Sequence, residues 1–185
     1  MLRESRREFL KHGALSVAGF ALLRSGLPAA AGIETVEMRS DMLGSGVWFD
    51  PIGLYIEPGT IVRWIVRENV HTTTAYHPRN DKHSLRIPER ATPWDSGFLV
   101  QPGDHFEITI TEPGVYDYYC APHEAAGMVG RIVVGKQVGA RAPEFDYWVG
   151  KSGTSNWRHV PDEARNAFPS VSRILAERRV RRTAG

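Results

Sequence analysis

The stretch VYDYYCAPHEAAGMVGRIVV, residues 115–134, sets strand-like runs on either side of Cys120, His123 and Met128. Two residues separate the cysteine from the histidine, and four separate the histidine from the methionine. A metal ion needs several donors converging on one point, and a strand end followed by a tight loop can deliver them. Read this way, Cys120 closes one strand, Pro122 stiffens the return, and Gly127 lets the chain turn so that Met128 opens the next strand. Thiolate and thioether sulfur combined with imidazole favour copper, and two histidines with one cysteine under a long axial methionine form the blue-copper arrangement.

The second histidine has to come from elsewhere. His71 is the best placed, because it follows the run IVRWIVR (61–67) after the short link Glu68-Asn69-Val70. His77 and His83 sit in YHPRNDKHS, a polar segment for which surface exposure is expected. Taken singly, each residue has a plain alternative: a lone cysteine is a small buried apolar residue, a methionine beside glycine packs, and a histidine sits on the surface. It is their conjunction that points to a metal.

From Glu34 to Gly135 the chain reads as short alternating runs broken by turn dipeptides, which predicts an all-β Greek-key sandwich. In 61–67, Val62, Trp64 and Val66 share one face while Ile61, Arg63, Ile65 and Arg67 share the other. In DHFEITIT (104–111), Phe106, Ile108 and Ile110 lie on one side and His105 points outward with Glu107 and Thr109. Further strands are expected near 34–39, 46–49, 53–57, 71–76, 97–100, 115–120 and 128–135. Pro58-Gly59, Pro102-Gly103 and Pro113-Gly114 suit type II turns, proline presetting one φ and glycine supplying the positive one.

The flanks differ from this centre. Residues 5–11, SRREFLK, resemble the twin-arginine export motif; the apolar run Gly13 to Leu23 that follows is shorter than the roughly 20 residues a membrane span needs, and Ala29, Ala30 and Ala31 offer a cleavage site. Residues 1–31 are therefore expected to be a signal peptide that exports the chain to the periplasm, the alternative being an amphipathic anchor that stays attached. Residues 32–139 form the expected β domain, with 9 Lys/Arg against 14 Asp/Glu, and 140–185 a basic extension with 9 against 5. No basic face of the kind that binds nucleic acid is present, and no stable membrane span is expected after cleavage. In the extension, Val171, Ile174, Leu175 and Arg178 follow a helical stripe after Ser170, which predicts a short capped helix.

The segment YCAPHEAAGMVGRIVV resembles the copper-binding end of plastocyanin, and FDPIGLYIEPGTIVRWIV and QPGDHFEITITEPGVYDYYC resemble the broader plastocyanin-like cupredoxin family, over about residues 34–136. The resemblance implies one type 1 copper held by His71, Cys120, His123 and Met128, cycling between Cu(II) and Cu(I). It implies a monomer that passes single electrons between a protein donor and a protein acceptor. The exchange surface would be apolar, formed by Ala121, Pro122, Ala125 and Ala126 around His123, with Tyr119 as a second route. Val70 and Thr72 flank His71 where plastocyanins have Pro and Asn; a hydrogen bond from the Thr72 hydroxyl is expected to tie the two ligand segments together. Pro122 has no N–H and cannot donate to the Cys120 sulfur. Rival functions are a copper enzyme, a copper-delivery or copper-storage protein, and an accessory electron donor to a copper-dependent enzyme. Against the first, Cys120 is flanked by Tyr119 and Ala121 rather than by the histidine that relays electrons to a second copper centre. Against the second, Met38, Met42 and Met128 are scattered rather than clustered.

Overall fold

The structure is a computed structural model that describes residues 32–135 and 156–182. The signal peptide expected over 1–31, the boundary at 139/140, and Phe145, Tyr147 and Trp148 lie outside the described residues. The elements in chain order are β1 (Ile33–Ser40), β2 (Val47–Asp50), β3 (Gly53–Ile56), β4 (Thr60–Val66), β5 (Thr74–Ala75), β6 (His105–Ile110), β7 (Gly114–Tyr119), a 3₁₀ turn (Ala121–Ala126), β8 (Val129–Val134), α1 (Asp162–Ala167), α2 (Val171–Glu177) and β9 (Arg179–Val180).

These strands form a sandwich of two mixed sheets, ordered β2-β1-β4-β6 and β5-β7-β8-β3-β9. Parallel pairing of β1 with β4 and of β3 with β8 joins antiparallel neighbours in each sheet. In the first sheet the alternation works as expected: Val62, Trp64 and Val66 are fully buried, and His105 is exposed. Trp64 meets Tyr118 of the second sheet edge-on at 5.3 Å between ring centroids, and Phe49 meets the same ring at 4.8 Å. Such pairs add directional preference to area burial in the core.

The second sheet is buried on both faces, so every residue of β7 and β8 is buried. Its outer face is covered by the C-terminal segment. Val171, Ile174 and Val180 pack on Tyr55, Val115 and Val133, while Val160 and Ala164 pack on Tyr76, Tyr119 and Val129. A buried ion cluster joins the layers: Asp117 accepts from Arg86 and Arg131, and Arg131 Nη1 donates to the Pro169 carbonyl at 3.0 Å. The expected helix after Ser170 is present, and the Ser170 hydroxyl accepts from the Arg173 amide. The sequence reading did not predict α1 or β9.

The strands expected at 71–76 and 97–100 shrink to the two residues of β5 and to isolated bridges, His71 with Leu99 and Thr74 with Asp95. The reason is local: the amides of Thr72 and Thr73 donate to the Cys120 sulfur and the Ser96 hydroxyl, which removes them from any ladder. Two of the Pro-Gly pairs are the expected turns, with Gly59 at φ 90° and Gly103 at φ 96°, each followed by an amide that bonds back across the turn. Gly114 instead begins β7 at φ 151°, where the carbonyl of Glu112 accepts from the Tyr116 hydroxyl.

Candidate metal centre

The first donor leaves the end of β4. The link Glu68-Asn69-Val70 turns the chain with Asn69 at φ 62°, and His71 is then fixed by reciprocal backbone hydrogen bonds with Leu99 of 3.1 and 2.9 Å. The other donors come from the loop after β7. Cys120 starts the 3₁₀ turn, with Pro122 in its first turn, and Gly127 ends it at φ 80°. The loop closes on itself, since the His123 amide donates to the Cys120 carbonyl and the Cys120 amide to the Met128 carbonyl, both at 3.0 Å. Glycine suits 127 because its φ of 80° is left-handed, and a Cβ there would lie 3.2 Å from the Glu163 carbonyl oxygen of α1, tight enough to push α1 back by a few tenths of an ångström.

This folding brings His71, Cys120 and His123 together, with one ligand atom from each lying within 4.8 Å of the others. Nδ1 of His71 is 3.7 Å from the Cys120 sulfur, and Nδ1 of His123 is 3.4 Å from it. Donors about 2.0–2.3 Å from a shared ion and about 110–120° apart would be roughly 3.5–3.8 Å from each other. Two imidazole nitrogens and a sulfur at these separations fit a trigonal copper site. His71, Cys120 and Met128 are fully buried and His123 is partly exposed, while Ala121, Pro122, Ala125 and Ala126 are exposed around it.

The electrostatics agree with a site ready for metal. Burial, reinforced by the neighbouring His123, pulls His71 down to about 4, against a weaker opposing pull from Glu68. His123 is also lowered by burial. Both rings are therefore neutral near pH 7, as ligation requires. Burial pushes the Cys120 thiol up to about 11, partly offset by hydrogen bonds from Thr72 and His123. Metal binding must then expel the thiol proton.

Thr72 does join the two ligand segments, but its hydroxyl is the acceptor rather than the expected donor, taking a 2.7 Å hydrogen bond from the Ala121 amide. Because Thr74 donates to Asp95, the Thr72 hydroxyl proton is directed to Thr74, at 3.2 Å. The Thr72 amide lies 3.3 Å from the sulfur and donates to it.

Two residues depart from the sequence reading. Tyr119, expected at the surface as a second route, is only 3% exposed: it stacks on His83 with centroids 4.3 Å apart and lies under Val160 and Ala164. His83, expected to be exposed, is fully buried, while His77 is half-buried. Glu124, which no sequence motif singles out, is 3% exposed and bonded to Tyr76 and His83. Its partners are 48 and 41 residues away, so no local spacing could reveal them. Also missed were the exposed Phe98 and Val100, on either side of the residue paired with His71, and exposed Met42 and Leu43, in the turn that places Gly44 beside Asn69.

Residues 36–135 match the sequence profile of the family described as copper binding proteins, plastocyanin/azurin family. The chain is 28% identical over 124 residues to a pseudoazurin of Paracoccus pantotrophus, spanning 67% of this chain and 78% of that one. It is 32% identical over 127 residues to a chloroplastic plastocyanin of Oryza sativa subsp. indica, spanning 61% and 81%. A solved pseudoazurin from Sinorhizobium superposes with a TM-score of 0.51 at 26% identity, over 79% of this chain and 95% of its own.

Proposed function

We propose that this chain, which belongs to the plastocyanin/azurin family of copper-binding proteins, is an exported carrier of single electrons. The observation that carries the reading is the convergence of two imidazole Nδ1 atoms on one buried sulfur. His71, Cys120 and His123 would hold the copper, and Met128, buried at the end of the same loop, would be its further donor. Bound copper supplies a reversible change between Cu(II) and Cu(I).

The protein's part is to hold the donors still and to control access. The closed Cys120–Met128 loop, the Thr72 clasp and the His71–Leu99 pair fix the donors before metal arrives. Burial of Cys120 and Met128 keeps water from the sulfurs. His123 alone of the histidine donors reaches the surface, in a ring of Ala121, Pro122, Ala125 and Ala126, and exchange with a protein donor and a protein acceptor takes place there. Exposed Phe98 and Val100 flank Leu99, the residue paired with His71. Tyr119 is closed off by Val160 and Ala164, which leaves His123 as the one port among the described residues. Residues 1–31 direct twin-arginine export to the periplasm, 32–139 form the copper domain, and 140–185 form an extension whose described part braces it. The mature protein works as a monomer.

Copper reconstitution of the mature protein tests this. One ion per chain should give an intense blue colour from thiolate bound to Cu(II), bleached by reductant and restored by oxidant. A colourless copper complex would contradict the electron-carrier reading.

A further inference from the structure

Directly behind the exposed port lies a buried polar network that the electron-carrier reading does not use. Glu124 follows His123 in the 3₁₀ turn, but its side chain points into the protein rather than to solvent. One carboxylate oxygen accepts from the Tyr76 hydroxyl at 2.7 Å and the other lies 3.1 Å from Nε2 of His83. His83 is anchored in turn. Its Nδ1 faces the Asn80 carbonyl at 2.9 Å, an oxygen that can only accept, so Nδ1 carries a hydrogen. The hydroxyl of Tyr119 lies 3.1 Å from the same nitrogen, and the Tyr119 ring stacks on the imidazole. A hydrogen must then lie between Nε2 and the Glu124 carboxylate, whichever of the two holds it.

A buried carboxyl group is costly unless both oxygens are satisfied, so this arrangement was built for something that an alanine, like its neighbours at 125 and 126, would not provide. The tether acts where it matters, one residue from the donor that faces the partner. It ties the 3₁₀ turn to Tyr76, just after β5, to the 77–83 segment and, through Tyr119, to the end of β7, next to Cys120. We infer that Glu124 is a positioning residue for His123, holding the ligand turn in one orientation so that the imidazole keeps its place in both oxidation states of the metal. This inference rests on the copper electron-carrier reading above.

The experiment compares Glu124→Ala, Glu124→Gln and the unaltered protein, all copper-loaded, by visible and paramagnetic resonance spectra and by the electron self-exchange rate from NMR line broadening. Glutamine can satisfy the same partners: its carbonyl accepts from Tyr76, and its amide donates to Nε2 of a neutral His83. Glu124→Ala should stay blue, show altered copper spectra and exchange electrons about tenfold more slowly, in line with the usual effect of losing a group that orients a ligand. Glu124→Gln should restore both spectrum and rate to within about twofold. An alanine variant that is merely less heat-stable, with unchanged spectrum and exchange rate, overturns the inference. Equal slowing by alanine and glutamine also overturns it, because charge rather than position would then be at work. Should Glu124→Ala fail to fold, Tyr76→Phe removes one of the two anchors without disturbing packing; a smaller slowing is expected, and an unchanged rate and spectrum contradict the inference. Failure of the unaltered protein to turn blue would defeat the electron-carrier reading itself, a result distinct from all of these.

Discussion

The two sheets of the sandwich do different work. The β2-β1-β4-β6 sheet is a wall with one wet face: Ile61, Arg63 and Ile65 alternate with the buried Val62, Trp64 and Val66. The sheet containing β7 and β8 carries the ligand loop between those two strands and has no wet face there, because residues 156–182 cover it. The lesson is that residues 156–182 share a buried apolar layer with the strands that carry the ligand loop. They brace the strands on either side of the ligands and seal Tyr119, and α1 presses its backbone against Gly127 at the end of the ligand turn.

The largest effect should come from the ligand loop itself. Cys120→Ser removes the thiolate and should abolish the blue colour completely, together with the rise in melting temperature that copper gives the unaltered protein, as read by absorption and calorimetry. Cys120 is the one cysteine of the chain, so a variant that stayed blue would show that the colour does not arise from a thiolate bound to copper.

Next comes the contrast between the covered and the wet face. Ile174 is fully buried against the second sheet, and Ile174→Ala should cost about 2–5 kcal/mol in denaturant unfolding. Ile33, half-exposed on β1 of the first sheet, should change stability by no more than about 0.5 kcal/mol on the same substitution. Equal costs would make the C-terminal segment an appendage after all.

A third effect is in pH. The metal-free thiol titrates at about 11 and binding needs the thiolate, so copper affinity should rise about tenfold per pH unit through neutrality, with one proton released per ion. The metal-free fold should also lose stability as pH falls from 6.5 toward about 4, because the buried, neutral His71 takes up its proton in the unfolded chain first. Potentiometry of proton release and denaturation at a series of pH values check the two signs. The smallest effect is on tuning: Met128→Leu should keep the colour and raise the reduction potential, because the axial thioether is one of the groups that set it.

Much of this was legible in the sequence, for physical reasons that differ between the sheets. The first sheet announces itself by period-two alternation, as in 61–67, because one face is wet. The ligand loop is legible by chemistry, since sulfur and imidazole donors at close spacing need a shared purpose, and His71 joined them by its place after a strand. The runs at 115–119 and 129–134 lack alternation, which in hindsight marks a sheet covered on both faces. What covers them was only partly readable. The stripe of α2 was visible, whereas α1, DEARNA, buries only Ala164 and offers no stripe to find. The roles of His83 and Glu124 depend on partners about forty or more residues away, and a polar segment rich in Pro and Asn looks like exposed loop until those partners are in place.

The most direct test of the central claim is an anaerobic reductive titration of the copper-loaded mature protein, followed in the visible. If His71, Cys120, His123 and Met128 hold one copper that carries electrons singly, the blue absorption will disappear in proportion to added reductant, be gone at one electron per chain, and return in full on reoxidation. Absorption that survives one equivalent, or that fails to return, would contradict it.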